Sequence, residues 1–112
     1  MLFLVTENIR IEFLEVSKAL AQLTMLRQTF DIYEDLKREG KLKFSYAFAD
    51  LPGGITVLEV DSNEELQRIL FLPSMPFVER TVKPLTEMNA VVNVIEQLRN
   101  IVSSMPTSVE KS

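Results

Sequence analysis

The chemistry open to this chain is limited by two absences. Its 112 residues include no histidine and no cysteine. This excludes thiol nucleophiles, imidazole bases, disulfides and the common zinc and copper sites. Any proton transfer must use carboxylate, tyrosine, lysine, arginine, hydroxyl or backbone groups, unless a bound cofactor supplies the chemistry. We expect no cofactor and no metal.

Glu79 and Tyr46 are the candidate catalytic residues. Glu79 shares a face of a predicted strand with Phe77, and if that face lines a cavity, burial would raise the pKa of the carboxyl toward neutrality. The alternative for Glu79 is an edge-strand charge in water. Tyr46 could present its hydroxyl to a cavity as an acid or hydrogen-bond donor, or could pack as an ordinary strand aromatic.

Arginine side chains are the candidates for holding a substrate. Arg27 and Arg80 could clamp a carboxylate, although surface arginines usually have no such role. Glu34 could also face inward as a base. It stands four residues before Arg38, however, so a solvated ion pair with that arginine is the alternative.

The stretch 51–85 organises the elements that must position these residues. A Gly-Gly turn precedes a strand over 55–60 that is rich in β-branched residues. Ser62 stands three residues before Glu65, a spacing that predicts a capping box at the start of a short helix. Two prolines then end the helix, and a last strand follows over 77–85.

The other elements are predicted from hydrophobic periodicity. An apolar run over 1–9 predicts a first strand, and helical spacing over 11–39 predicts a long amphipathic helix that Gly40 ends with a left-handed cap. Alternation over 41–50 predicts an edge strand, and a broad apolar face over 89–103 predicts a further helix.

The resulting order, β-α-β-β-α-β plus a terminal helix, predicts a ferredoxin-like α+β fold with a four-stranded antiparallel sheet. We expect one domain over 1–103 and a flexible tail over 104–112. Because the strands are apolar on both faces, two copies related by a two-fold axis are expected to close a dimeric α+β barrel around a cavity. The terminal helix could pack on a neighbouring subunit.

Net charge and hydropathy limit the classes of partner that this chain is expected to bind. The net charge is −4, from 12 basic and 16 acidic residues, without a basic stripe for nucleic acid. No apolar run approaches the length of a membrane span, and the first residues are strand-like instead of resembling a signal peptide. We therefore expect a cytoplasmic protein that binds a small molecule and copies of itself, but neither nucleic acid nor a membrane.

Five short motifs resemble the muconolactone delta-isomerase family. They are the opening MLFLV, the helix end LKREGK, the segment VDSNEEL, the corner LPSMPF and the following VKPL. The resemblance covers residues 1–86, after which this chain has its own helix where the family has a short arm. It implies a small cofactor-free fold that assembles into dimers and larger rings and isomerises a lactone by moving a proton within it.

The chain also departs from the family it resembles. Family members carry a glutamate, proposed to shuttle the proton, at the position of Thr29, and threonine is a poor base. They have a histidine and a tryptophan where this chain has Phe44 and Tyr46, and a corner tyrosine where it has Phe77. We therefore place Thr29 and Phe77 with Arg27 and Arg80 among the substrate-binding candidates.

Two functions of different class follow. The first is a cofactor-independent isomerase or cyclase that acts by proton transfer on a small lactone or enolisable acid. The second is a non-catalytic small-molecule-binding or oligomeric scaffold protein of the same fold. A cofactor-free monooxygenase of similar architecture is a third possibility and has no residue signature here. Catalysis predicts a buried carboxylate or tyrosine that converges with an arginine, whereas a binding protein predicts an apolar cavity.

Overall fold

The computed structural model describes residues 1–106. Its elements are β1 (Leu2–Ile9), α1 (Val16–Arg38), β2 (Leu42–Ala47), β3 (Gly53–Glu59), α2 (Asn63–Leu70), β4 (Val78–Leu85) and α3 (Met88–Ser103). The strands form one antiparallel sheet in the order β2-β3-β1-β4. The predicted ferredoxin-like α+β fold is confirmed, with β2 and β4 at the edges as expected. Most of the expected tail, 104–112, lies outside the described residues.

The start of α1 differs from the prediction. The helix begins at Val16, five residues later than the periodicity indicated. The Glu12 amide donates to the side chain of Gln22 at 2.9 Å, and the Glu12 carboxylate pairs with Lys18 at 2.6 Å. These contacts tie the segment before the helix back along α1, so its apolar residues do not extend the helix.

The end of α1 agrees with the prediction. Gly40 has a φ of +78°. The Lys41 amide donates to the Leu36 carbonyl at 2.9 Å, and the Gly40 amide donates to the Lys37 carbonyl at 3.1 Å. This pair of bonds is a Schellman motif, which satisfies carbonyls that the helix itself leaves free.

The predicted capping box of α2 is present with one change. The Glu65 amide donates to Ser62 Oγ at 3.1 Å, as expected. The Glu65 carboxylate, however, accepts from the amide of Asp61 instead of Ser62, at 2.9 Å, and also pairs with Lys41 at 3.0 Å. The Asp61 amide and Lys41 together lower the pKa of the Glu65 carboxyl. The Glu65 carboxylate thus stabilises the start of α2 and also links this helix to Lys41, just before β2.

One hydrophobic core lies between the sheet and the two helices α1 and α2. Its buried members are Phe3, Val5, Tyr33, Leu36, Leu42, Leu58, Val60, Leu66 and Leu72. They come from alternate positions of the strands and from one face of each helix, as the two periodicities require. The core therefore fixes which face of the sheet looks toward α1.

The opposite face of the sheet has no cover among the described residues. Leu4, Ile55 and Val57 are partly exposed there, while Phe44 is 60% and Tyr46 66% exposed. The apolar second face expected from the sequence is thus present. The second copy expected to cover it, and the barrel it would close, stay predictions.

Helix α3 extends away from the rest of the molecule. None of its residues is buried, and it packs against no other element of the described chain. The radius of gyration is 20.7 Å, whereas a compact domain of this length has about 13 Å. Among the described residues, no helix combines the length and apolar character needed to cross a membrane.

Candidate active site

The site is built on two neighbouring strands that each place one charged side chain among apolar ones. On β1, Glu7 follows Phe3 and Val5 on the face toward the helices and is only 8% exposed. Arg80 on β4 is its register partner, with a side chain 7% exposed. Arg80 Nε donates to Glu7 Oε2 at 3.1 Å. This bond compensates two charges that would each be unfavourable to bury alone.

The other oxygen of Glu7 is held less firmly. Thr56 on β3 is buried, and its Oγ1 donates to Glu7 Oε1 over 3.4 Å, at the long end of hydrogen-bond distances. Ser45 Oγ on β2 lies 3.4 Å from the same Thr56 hydroxyl. Glu7 Oε1 is therefore the oxygen of this carboxylate with the greater freedom to accept a proton.

A pair of buried hydroxyls, Thr29 on α1 and Ser74 before β4, fixes the position of Arg80; we name this pair the hydroxyl latch. Arg80 Nη2 donates to Ser74 Oγ at 2.8 Å, and Ser74 Oγ lies 2.7 Å from Thr29 Oγ1. Thr29 Oγ1 is also 3.1 Å from the Met25 carbonyl. A hydroxyl carries one proton, so Thr29 donates to that carbonyl and Ser74 donates to Thr29. The guanidinium is thereby anchored to the backbone of α1.

Two buried donors in this cluster have no hydrogen-bond partner among the described residues: Tyr33 Oη and Arg80 Nη1. Burial is the main cause of a raised pKa at the Tyr33 phenol, and the nearby Glu7 charge raises it further, while Arg80 opposes the shift. The phenol therefore keeps its proton at neutral pH. Unsatisfied buried polar groups are rare, and they mark places where a ligand or water completes the structure.

A small cavity adjoins the cluster between α1 and the sheet. Its volume is about 120 Å³, and Glu7, Thr29, Tyr33 and Thr56 line it together with apolar side chains such as Leu26. Its floor on β3 is formed by Gly53 and Gly54, which carry no side chain. The polar groups of the cluster therefore face a space that is large enough for a small molecule.

A wider groove of about 460 Å³ lies beside the cavity and shares Tyr33 and Ser45 with it. Three basic residues line the groove, Arg27, Lys37 and Lys43, against one acidic residue, Glu34. Lys43 pairs with Glu59 at 3.1 Å, and Lys37 forms no ion pair among the described residues, so Lys37 is the basic group of the groove that is available to an anion.

Of the six residues predicted for the site, the structure brings Thr29 and Tyr46 to the lining of the cavity. Thr29 belongs to the hydroxyl latch, whereas Tyr46 is the register partner of Ile55 and its side chain lies on the outer face of the sheet. Arg80 is the buried cation of the cluster, but it lines a different hollow, with Gln67 and Leu70. Arg27 lies in the groove only, where its guanidinium pairs with Asp31 at 3.5 Å. The alternative pairing of Glu34 with Arg38 is wrong, because Arg38 pairs with Asp35 at 2.6 Å.

Glu79 and Phe77 lie elsewhere. Glu79 is on the sheet face opposite Arg80, 63% exposed, and pairs with Arg10 at 3.0 Å. This arrangement is the edge-strand charge in water that was the alternative for Glu79. Its assignment as a proton carrier stays a prediction that requires a second copy to bury it. Phe77 is buried in the corner before β4, and it lines neither the cavity nor the groove.

Sequence reasoning missed Glu7, Tyr33 and Ser74. The signal for Glu7 was available, because it continues the two-residue step of Phe3 and Val5 and so puts a charge on the core face. Its neighbours Thr6 and Asn8 are polar, which made the segment resemble the end of a strand. Tyr33 fits the helical spacing of apolar residues over 11–39, so the sequence pattern alone does not distinguish it from a core residue.

The cluster does not have the composition of a metal site. It offers one carboxylate that already accepts from an arginine. Within residues 1–106, no group of three or more acidic, histidine or cysteine side chains is placed to hold a metal ion.

Comparison with known proteins gives a consistent family assignment. The family model for muconolactone delta-isomerase matches residues 1–90, and no curated protein matches the chain. The crystal structure of muconolactone isomerase at 3.3 Å resolution is similar, with a TM-score of 0.66 and 22% sequence identity, over 78% of this chain and 90% of that one. At that identity the structural likeness shows the fold alone.

The matched region contains every residue of the buried cluster, whereas most of α3 lies beyond it. The family that the short motifs indicated is confirmed by a model that covers most of the chain. This chain belongs to the muconolactone delta-isomerase family.

Proposed function

We propose that this protein is a cofactor-independent isomerase or cyclase that moves a proton within a small lactone or enolisable acid, with Glu7 as the proton carrier. Membership of the family and the shared fold support an isomerase-like or related function at the level of the family. The observation that carries the proposal is the buried convergence of Glu7, Tyr33 and Arg80 beside a cavity.

Glu7 fits the role of base by its position. Its carboxylate lines the cavity, and Arg80 holds Oε2 while Oε1 has only the long contact with Thr56. In the proposed reaction, Oε1 takes a proton from one end of an unsaturated system in which a carbon–carbon double bond can conjugate with the substrate carbonyl, and a dienolate forms. The same carboxyl returns the proton to the carbon at the other end of that system, so the double bond moves and the reaction needs no co-reactant.

Tyr33 fits the role of stabilising the enolate, because it lines the cavity and its Oη is a buried donor without a partner among the described residues. Donors of this kind stabilise developing negative charge strongly where water is excluded. The raised pKa of the Tyr33 phenol keeps its proton available for this hydrogen bond. Arg80 does not line the cavity, and its role is to hold Glu7 Oε2.

The dimensions of the site indicate the class of substrate. The cavity of about 120 Å³ is close to the roughly 150 Å³ that holds benzene in an engineered apolar site, so one small ring is the expected occupant. The groove outside it offers Lys37 to a carboxylate attached to that ring, and Arg27 could join it by exchanging its exposed ion pair with Asp31. On this basis Arg27 keeps its proposed substrate-binding role. The cytoplasmic location stays a prediction.

The experiment that tests this proposal follows deuterium uptake from D₂O into muconolactone and a panel of small lactone acids by NMR. The wild-type chain is expected to catalyse exchange or isomerisation of at least one of them. Glu7→Gln is expected to lower the rate by at least about a hundredfold. The matched comparison is Glu79→Gln, which changes the exposed glutamate predicted from the sequence as the proton carrier; if Glu7 carries the proton instead, Glu79→Gln keeps the rate.

Glu7→Gln also removes the charge that compensates Arg80, so its fold is checked by circular dichroism. Tyr33→Phe serves as the second variant, because it removes a hydroxyl that makes no hydrogen bond in the described structure. We expect it to fold normally and to lose at least about tenfold in rate. Full activity in both variants, or loss in Glu79→Gln alone, would contradict the assignment to Glu7.

The second candidate is a non-catalytic small-molecule-binding or scaffold protein of the same fold. One observation favours it: Thr29 stands where the family has its proposed proton shuttle, and its hydroxyl is engaged in the hydroxyl latch. This candidate predicts that lactone acids bind and shift the NMR signals of cavity residues, without deuterium uptake above the rate in buffer.

A further inference from the structure

Helix α3 carries an apolar stripe with nothing against it. Val92, Val94 and Ile101 flank it and are 49% to 54% exposed. The stripe itself consists of Met88, Val91, Ile95, Leu98 and Val102, which are 40% to 74% exposed. They follow one another at steps of three, four, three and four residues, the spacing of the a and d positions of a heptad. Another amphipathic helix is the surface that such a stripe fits.

The charges of α3 favour a partner of its own kind. The helix has one acidic and one basic residue, Glu96 and Arg99, which pair with each other at 3.4 Å beside the stripe. Asn93 and Asn100 lie on the face opposite the stripe. Because the stripe is uncharged and the helix is neutral, two copies can approach without repulsion.

We propose that α3 pairs in parallel with α3 of a second copy of this chain, as a short two-stranded coiled coil. In this register the a positions are Met88, Ile95 and Val102, and the d positions are Val91 and Leu98. β-Branched Ile95 and Val102 at a with Leu98 at d are the combination that favours two parallel strands, from which Val91 at d departs. The helix has 16 residues, a length at which an isolated helix is marginal in water. Pairing stabilises the helix by covering its stripe.

The length of α3 limits the strength of this contact. Sixteen residues extend about 24 Å, so two helices bury less than the roughly 1,600 Å² of a standard interface. We therefore expect a pairing that dissociates on dilution unless the sheets add contacts. It requires neither the proposed reaction nor an occupied cavity.

Sedimentation velocity on the full chain tests the surface. The variant Ile95→Asp/Leu98→Asp places two charges in the stripe, and the control Asn93→Asp/Asn100→Asp places the same two on the outer face. We expect the control to match the wild type in assembly, and the stripe variant to dissociate at a concentration at least tenfold higher. Assembly of the stripe variant that equals the wild type overturns the proposal.

A cross-linking experiment tests the orientation, since the chain has no native cysteine. In a parallel pair the two copies of residue 91 face each other within the reach of a disulfide, so Val91→Cys is expected to form covalent dimers under mild oxidation. Asn93→Cys, on the outer face, is expected to remain monomeric on a denaturing gel. Failure of Val91→Cys to cross-link overturns the parallel pairing, as does an assembly of three or more chains held by the stripe.

Discussion

At the scale of single residues, the candidate site depends on one buried ion pair and the groups that hold it. Glu7 and Arg80 are opposite each other on adjacent strands, and the hydroxyl latch of Thr29 and Ser74 ties the arginine to α1. Thr29, which the sequence resemblance aligns with the family's proposed proton shuttle, holds Ser74 and through it Arg80. The acid–base chemistry has a different candidate carrier within the same fold.

The burial of the Tyr33 phenol leads to a prediction of how the free energy of unfolding depends on pH. Burial raises the pKa of Tyr33 above the usual value of about 10, whereas in the unfolded chain the phenol ionises near that value. Below about pH 10 the phenol is protonated in both the folded and the unfolded state, so its ionisation does not lower the free energy of unfolding. Above it the unfolded state loses the proton first, so the free energy of unfolding falls as the pH rises.

The chain has only two tyrosines, which makes this titration easy to assign by tyrosinate absorbance. We expect one phenol to ionise only well above pH 10 or together with unfolding. Tyr33→Phe is expected to remove this late step, and Tyr46→Phe to keep it. A folded protein in which Tyr33 ionises near pH 10 would show that the phenol is not buried as described.

At the scale of elements, the approach of β3 to β1 depends on glycine. Gly53 has a φ of +152°, and a Cβ built there would collide with the backbone carbonyl of Glu7. Gly40 also has a positive φ, +78°, but a Cβ there meets nothing within 4 Å. Both glycines have a positive φ that other residues rarely adopt, but only Gly53 lacks the space for a Cβ.

This contrast predicts unequal effects of the same substitution. Gly40→Ala is expected to lower the free energy of unfolding by about 1 kcal/mol, the cost of a left-handed alanine. Gly53→Ala is expected to lower it by more than about 2 kcal/mol and to weaken ligand binding, because Glu7 must move. Chemical denaturation of both variants measures this; equal losses would mean that the close contact with Glu7 is relieved without strain.

The order of the elements was predictable because each boundary has a local cause. The capping box at Ser62 and the left-handed Gly40 lie where the sequence placed them. The start of α1 was not predictable, because a side-chain contact between Glu12 and Gln22 decides it. The alternation on β1 puts Glu7 on the core face, but the pairing of its charge with Arg80 was not predictable, because it depends on β1 lying beside β4.

At the scale of the whole molecule, the outer face of the sheet and the stripe of α3 are apolar surfaces left without cover in the described chain, as are side chains near the start of α1 such as Leu14 and Leu20. Strands with apolar residues on both faces are typical of sheets that are covered on both sides. Large exposed apolar patches on one chain mark interaction surfaces. The dimeric barrel expected from the sequence would cover the first surface, and helix pairing the second.

If the outer sheet face and the stripe of α3 each form a contact between copies, we expect the assembly to dissociate in two steps. Val57 lies in the middle of the outer sheet face, partly exposed, between the positions of Phe44 on β2 and Leu4 on β1. Val57→Lys places a charge in that face and is expected to weaken assembly by at least tenfold while α3 still pairs. Gln28→Lys, at an exposed position of α1, adds the same charge outside both surfaces and should leave assembly unchanged.

Combining Val57→Lys with Ile95→Asp/Leu98→Asp should then yield a monomer whose sheet and core are intact by circular dichroism, since neither surface contributes to the buried core. Light scattering over a concentration series measures the assembly of Val57→Lys, of the Gln28→Lys control and of the combined variant. If Val57→Lys assembles like the wild type, the outer sheet face is not a contact between copies. In that case a cavity closed by a second sheet is ruled out, and Glu79 has no means of becoming buried.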